Sequence, residues 1–254
     1  MTTPRAAEIS TGEIAAVIFD MDGVITETAS VHAAAWKRMF DEYLAARDDS
    51  QRPFSDDDYQ LYVDGKPRYD GVADFLRSRG VELPRGEPTD SPETETVCGL
   101  GNRKQEMFVR TLREEGATAF PSSVELIHRL RGAGVGTAVI SASRNCAEVL
   151  ESAGVIDLFD ARVDGEVADE LGLAGKPDPA VFLEAARRLG VAPAEAAIVE
   201  DAIVGVEAGG RGGFALVIGV DRVGQADRLR SHGADIVVDD LGELRVTGPT
   251  ERSR

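Results

Sequence analysis

Cysteine is nearly absent from these 254 residues: Cys98 and Cys146 are the only two, too few for a disulfide framework and expected to be incidental thiols. Basic residues are scarce beside acidic ones. With 28 Lys and Arg against 45 Asp and Glu, the net charge is −17, which argues against nucleic acid or an anionic membrane surface as partner. An anionic small molecule would need a local basic pocket in an acidic surface. No apolar run approaches membrane-spanning length, and the first residues lack the apolar core of a secretion signal, so a soluble, cytoplasmic chain is expected. Neither a Walker lysine loop nor a reactive Cys-His pair is present, and no internal repeat is evident.

What is there begins with Ala15-Ala16-Val17-Ile18-Phe19-Asp20-Met21-Asp22-Gly23-Val24. An apolar run this short, cut off by acids and a glycine, reads as a buried parallel strand. Its end puts Asp20 and Asp22 where open α/β sheets bind ligands, and residues i and i+2 of an extended chain share a face. An Asp-x-Asp pair is ordinarily a solvated turn; directly after a buried strand it is a candidate site.

At this length the chain can bury roughly 70–75% of its unfolded surface. Residues 1–13 read as a loose tail, and Ser30 as the N-cap of a helix to about Ala46 with an apolar stripe of Trp36, Met39, Phe40, Tyr43 and Leu44. The stretch 47–66 is acidic and turn-rich, a helix from about Tyr69 to Arg79 stops at Gly80, 81–101 reads as a long irregular loop, and a helix near Arg103–Glu115 ends at Gly116. Ser122 and Glu125 form a capping box opening a helix to Arg131. Strands then alternate with helices. Strands are expected at Val135–Ile140, Ala196–Val199, Phe214–Ile218 and Ile236–Val238. Helices are expected up to Gly154, over Pro179–Leu189, up to about Ala208 and through Arg228, with 246–254 disordered. The alternation predicts an α/β fold, a doubly wound, Rossmann-like parallel sheet. The insert 29–111 is expected as a helical cap domain, leaving 1–28 and 112–254 as the core domain. Two glycine clusters are decoys. Gly132–Gly136 precedes its strand, the wrong side for a dinucleotide loop, and Gly209–Gly213 lacks a P-loop's Lys-Ser/Thr and is expected to break a helix.

Polar residues follow several of these strands: Asp20 and Asp22, then Ser141, Ser143 and Asn145, then Lys176 before Pro177, then Glu200-Asp201. If these converge, several carboxylates share a small volume. At about 5 Å and an effective dielectric near 20, each pair costs roughly 3 kcal/mol of repulsion, which calls for a cation. All-oxygen ligands fit Mg²⁺, and Ser141 and Lys176 suit phosphoryl oxygens. The nucleophile then falls to a carboxylate: an aspartate can accept a phosphoryl group, and an acid two residues on can move the proton.

These residues, in this order and at these separations, resemble the haloacid dehalogenase-like superfamily. The resemblance covers nearly the whole chain. It implies that Asp20 is the nucleophile and Asp22 the general acid/base, that Ser141 and Lys176 bind the transferring phosphate, and that Asp20, the Asp22 carbonyl, Glu200 and Asp201 hold Mg²⁺. The chain further resembles the β-phosphoglucomutase group, through Thr28, His32 and Trp36 in the first cap helix, Gly65-Lys66-Pro67-Arg68, and Ser141-Ala142-Ser143-Arg144-Asn145. That resemblance implies that Thr28 and His32 control Asp22 and that Trp36 packs beside a sugar. It also implies that Gly65, Arg68, Lys104, Ala142, Ser143, Arg144 and Asn145 meet the phosphosugar. Glu27, Ala202 and the length of 81–101 depart from the pattern.

Each residue also has an ordinary reading. Glu200-Asp201 would suit a helix N-terminus, Ser141 could cap a helix, and Trp36 could be core. His32 could sit at the surface, Lys66 is expected as a solvated charge or helper, and His128 and His232 receive no role. The function expected is Mg²⁺-dependent phosphoryl transfer in a monomer acting on a sugar phosphate, as a β-phosphoglucomutase. A sugar-phosphate phosphatase is the alternative and a non-catalytic phosphosugar-binding protein a remote one.

Overall fold

The structure, a computed structural model, describes residues 6–47 and 51–248. The chain divides into two units, Met1–Glu27 with Thr118–Arg254, and Thr28–Ala117. Strands among the described residues lie in the first unit: β1 Glu8–Ser10, β2 Ala16–Asp20, β3 Gly136–Ile140, β4 Ala161–Val163, β5 Ala196–Glu200, β6 Leu216–Val220, β7 Ile236–Val238 and β8 Arg245–Thr247. The second unit holds helices α1 Thr28–Arg47, α2 Asp56–Asp58, α3 Arg68–Ser78 and α4 Val97–Glu115. The sheet unit holds α5 Pro121–Gly132, α6 Cys146–Ser152, α7 Gly165–Leu171, α8 Ala180–Leu189, α9 Ile203–Gly212 and α10 Ala226–Ser231.

Six strands form one parallel sheet in the order β4-β3-β2-β5-β6-β7. The five residues of β2 are all buried, as a near-continuous apolar strand covered on both faces must be. On one face Ala16, Ile18, Ala138, Ile140 and Ile198 pack with Phe182 and Ala185 of α8, Val206 of α9 and Leu229 of α10. The alternate residues Val17, Phe19, Val139 and Val199 are buried as well. The chain moves outward one way from β2 through β3 to β4 and the other way through β5, β6 and β7, so β2 marks the topological switch point.

The helical unit has its own core. The predicted stripe of Trp36, Met39, Phe40, Tyr43 and Leu44 is buried against Phe54, Phe75, Leu76 and Leu100, with Phe40 and Phe75 ring centroids 4.1 Å apart. Beside it Asp58 is enclosed and fully engaged: it accepts from Arg79 at 2.7 Å, Arg52 at 3.0 Å, and the Ser55 backbone and hydroxyl at 3.0 and 2.9 Å. Burial would raise its pKa, but the Ser55 hydrogen bonds and the two guanidinium groups outweigh this and hold it below the usual carboxylate value.

Several boundaries differ from expectation. Ser30 lies inside α1, which starts at Thr28. The irregular stretch ends at residue 96, because α4 starts at Val97, capped by the Thr96 hydroxyl, which accepts from Gly99 N at 2.9 Å. The expected domain boundary at 111/112 therefore falls inside α4. Gly99 and Gly101 read as breakers but serve close packing: added Cβ atoms would lie 2.1 Å from the Thr94 carbonyl oxygen and 2.8 Å from the Tyr69 ring. Likewise α9 runs on to Gly212, since Gly209 lets it approach Ile198, where a Cβ would sit 2.0 Å from Cδ1.

The Ser122 capping box does not form. α5 starts at Pro121, and the Ser122 hydroxyl donates to Asp240 at 2.8 Å instead. β6 starts two residues later than predicted, and β4 and α7 were not expected. Within 47–66 the chain forms α2 and a π-helical turn, Tyr59–Val63, with 48–50 outside the described residues. Both terminal segments contribute structure, as Glu8–Ser10 pairs in parallel with Arg245–Thr247; residues 1–5 and 249–254 of those expected tails lie outside the described residues.

Candidate active site

Three strand ends build the site at the switch point. Asp20 closes β2, whose neighbours in register are Ile140 of β3 and, one residue back at Phe19, Val199 of β5. One step further along β3 is Ser141, and along β5 come Glu200 and Asp201. Carboxylate oxygens of Asp20, Glu200 and Asp201 all lie within 4.8 Å of one another. Lys176, from the loop before α8, places its ammonium 2.7 Å from Asp20 Oδ1 and 3.0 Å from Glu200 Oε1. Burial alone would favour the neutral amine, but the Asp20 and Glu200 carboxylates outweigh it and hold the Lys176 pKa above its ordinary value. Lys176 brings one positive charge to this group of three carboxylates. An oxygen-only donor set of this size and charge fits a hard divalent cation, with Lys176 standing against two of its ligands.

Asp22 sits in a turn fixed by its own backbone. Thr26 N donates to Met21 O at 3.0 Å and Gly23 N to Thr26 O at 2.9 Å. Gly23 has φ +79°, the left-handed region that glycine adopts without strain, and a Cβ there would lie 1.9 Å from Asp201 Oδ2. The two acidic loops thus meet at a residue that must be glycine. After β3, the Ser141 hydroxyl accepts from Ser143 N at 3.0 Å and the Ser143 hydroxyl from Asn145 N at 3.1 Å. Each hydroxyl keeps a proton to donate, so these turns aim donors rather than cap a helix. The Asn145 side-chain nitrogen is buried with no hydrogen-bond partner among the described residues. Ala142 is exposed, and Arg144 is half-exposed in an ion pair with Asp169.

Three candidates from the helical unit, Lys104, His32 and Trp36, meet one another. Lys104 is buried, with its ammonium 2.6 Å from His32 Nδ1 and 4.9 Å from the Trp36 ring centroid. His32 stacks on Phe108 at 3.9 Å, and burial, then the charges of Lys104 and Arg68, push its pKa well down. A neutral imidazole can accept a hydrogen bond from the Lys104 ammonium at Nδ1. His32 is therefore not the surface residue its place near a helix start suggested. Trp36 is core, stacked on Phe40 at 5.3 Å, and Thr28 is the buried first residue of α1. Arg68 donates to Gln105 at 2.7 Å, Tyr69 at 3.1 Å and Asn102 at 3.3 Å, all neutral. Lys66 is paired with Asp74 at 2.8 Å, and Gly65 lies in the turn before α3 with φ +67°.

Sequence reasoning missed the residues that shape the site without chemistry of their own. Gly205 takes the Glu200 carboxylate against α9, where a Cβ would lie 2.0 Å from Oε1. Gly165, whose Cβ would lie 2.8 Å from the Ala142 carbonyl, packs beneath the Ser141 loop and donates to Ser143 O at 3.1 Å. Such glycines show in a sequence only as helix breakers.

Residues 14–213 match the family model of the haloacid dehalogenase-like hydrolases. The chain is 49% identical over 240 residues to a β-phosphoglucomutase of Mycobacterium bovis, covering 91% of this chain and 92% of that one. It is 33% identical over 229 residues to the β-phosphoglucomutase of Bacillus subtilis, covering 90% and 91%. Among solved structures, the β-phosphoglucomutase of Clostridium difficile superposes with a TM-score of 0.72 at 25% identity, covering 91% of this chain and 92% of that one. These likenesses make the chain an enzyme, an isomerase or a hydrolase, and the sheet, the acidic cluster at its switch point and the match over residues 14–213 agree: it belongs to the haloacid dehalogenase-like hydrolase family.

Proposed function

We propose that this enzyme is a β-phosphoglucomutase, converting β-glucose 1-phosphate to glucose 6-phosphate through the 1,6-bisphosphate. The observation that carries the chemistry is the cluster of Asp20, Glu200 and Asp201 with the Lys176 ammonium against it. Asp20, Glu200 and Asp201, with the Asp22 carbonyl, would hold Mg²⁺, which when bound offsets charge on the transferring phosphoryl group.

Asp20 is the nucleophile. Its carboxylate forms the new bond to phosphorus as the bond to the sugar oxygen breaks, and Asp22 gives that oxygen its proton. In the opposite direction phosphorylated Asp20 passes its phosphoryl group to the sugar's 6-hydroxyl, whose proton Asp22 removes. Ser141 and Lys176 hold the phosphoryl oxygens as charge develops on them.

A mutase must also hold a second phosphate, which a simple phosphatase does not. For that phosphate and the sugar we assign Ser143 and Asn145 in the sheet unit and Arg68 in the helical unit. Two features support the assignment: the buried Asn145 amide nitrogen without a hydrogen-bond partner among the described residues, and the Arg68 guanidinium whose hydrogen-bond partners among them are all neutral. Thr28, His32, Lys104 and Gly65 are assigned to the helical unit's share of sugar recognition. Ala142 and Arg144 shape the Ser141–Asn145 loop.

A paired assay tests the reading. Given Mg²⁺, β-glucose 1-phosphate and a trace of the 1,6-bisphosphate, the enzyme should form glucose 6-phosphate with little free phosphate. Free phosphate without isomerisation would make it a sugar-phosphate phosphatase. Neither product, with tight sugar-phosphate binding, would make it a binding protein.

A further inference from the structure

We propose that the loop after β6, residues 221–225, clamps both acidic loops of the site in register, with Arg222 and Gln225 as its positioning residues. Arg222 Nε donates to the Gly23 carbonyl at 2.7 Å, next to Asp22 in the chain. Its guanidinium lies 3.8 Å over the Phe120 ring, and Nη1 donates to the Asp239 carbonyl at 3.3 Å, so the side chain is held from three directions. Buried Gln225 donates through Nε2 to the Asp201 carbonyl at 3.2 Å.

The loop that carries these two residues is rigid for a reason visible in its first residue. The Asp221 carboxylate accepts from the backbone of Val223 at 3.2 Å, Gln225 at 2.7 Å and Ala226 at 2.9 Å, while Asp221 N donates to Val238 O at 2.8 Å. One preorganised loop therefore grips the backbone beside Asp22 and the backbone of Asp201. Those two segments already touch where Gly23 faces the Asp201 carboxylate. Neither Arg222 nor Gln225 reaches the reacting atoms. They act by fixing where Asp22 and Asp201 point, as outer partners fix metal ligands and catalytic acids elsewhere.

The inference rests on the roles of Asp22 and Asp201 given above, and two variants separate its failure from theirs. Gln225→Met keeps the size and removes the donor. It should raise the Mg²⁺ concentration needed for half of the Mg²⁺-induced rise in melting temperature by about tenfold or more, with the metal-free melting temperature little changed. Arg222→Met should lower kcat about tenfold while KM stays within about twofold, and Arg222→Lys should recover part of the loss. A wild-type Mg²⁺ response in Gln225→Met together with wild-type kcat in Arg222→Met would overturn the clamp. So would losses that only follow a fall in metal-free melting temperature. If the wild-type enzyme turns over no sugar phosphate, the mutase reading fails, and the Mg²⁺ titration of Gln225→Met decides the clamp by itself.

Discussion

The two units handle buried charge in opposite ways. In the sheet unit one ammonium, Lys176, stands against two of three clustered carboxylates. In the helical unit one carboxylate, Asp58, is met by two guanidinium groups and two donors from Ser55. The first arrangement gathers oxygen donors that suit a divalent cation. The second is met by donors of the helical unit itself. An unbalanced cluster at a sheet's switch point is thus a sign of chemistry, and a balanced one a sign of architecture. Arg68 extends the contrast: inside the same helical unit it is a cation whose partners are neutral, which is why it is assigned a phosphate.

The largest effect expected falls on the unbalanced cluster. Asp20→Asn removes the proposed nucleophile and should lower both mutase turnover and hydrolysis of a small phosphate ester by on the order of 10⁴-fold or more. Substantial turnover of either substrate would remove Asp20 from the role.

Next comes the balanced cluster. Asp58→Asn leaves Arg79 buried without its counter-charge and should destabilise the helical unit by about 3–5 kcal/mol in a denaturant titration. A loss below about 1 kcal/mol would show the pair to be unimportant. The pH dependence has a defined sign. Because the folded-state pKa of Asp58 is lowered, its contribution is present above the ordinary carboxylate pKa and is lost as pH falls through the lowered value. Wild type should therefore lose stability below about pH 4, and this step should shrink in Asp58→Asn.

The smallest effect expected is at Arg68. Arg68→Ala should slow the bisphosphate-dependent step roughly 10–100-fold, the worth of a charge-assisted contact, and leave ester hydrolysis nearly unchanged. Equal losses in both assays would count against a role at the second phosphate.

The contrast between the units also separates what the sequence revealed from what it hid. In the sheet unit β2 and β5 are short apolar runs ending in acids, so Asp20 and Glu200-Asp201 could be located from periodicity and position alone. Their convergence could not, since it depends on the strand order that brings β5 beside β2. The three-residue β4 carries too little pattern to stand out. In the helical unit the apolar stripe of α1 was legible, but the start of α4 was not, because Gly99 and Gly101 look like breakers until Thr94 and Tyr69 are seen against them. The stacking of His32 on Phe108 and its pairing with Lys104, 72 residues away, have no local signature at all.

The central claim is that Asp20 itself carries the phosphoryl group. The direct measurement is to mix the enzyme with Mg²⁺ and the 1,6-bisphosphate, quench in acid, digest, and map the modified peptide by mass spectrometry. The account predicts one phosphoryl group on the peptide containing Asp20, absent from Asp20→Asn. A phosphoryl group on any other residue, or turnover with no phosphorylated protein at any quench time, would contradict it.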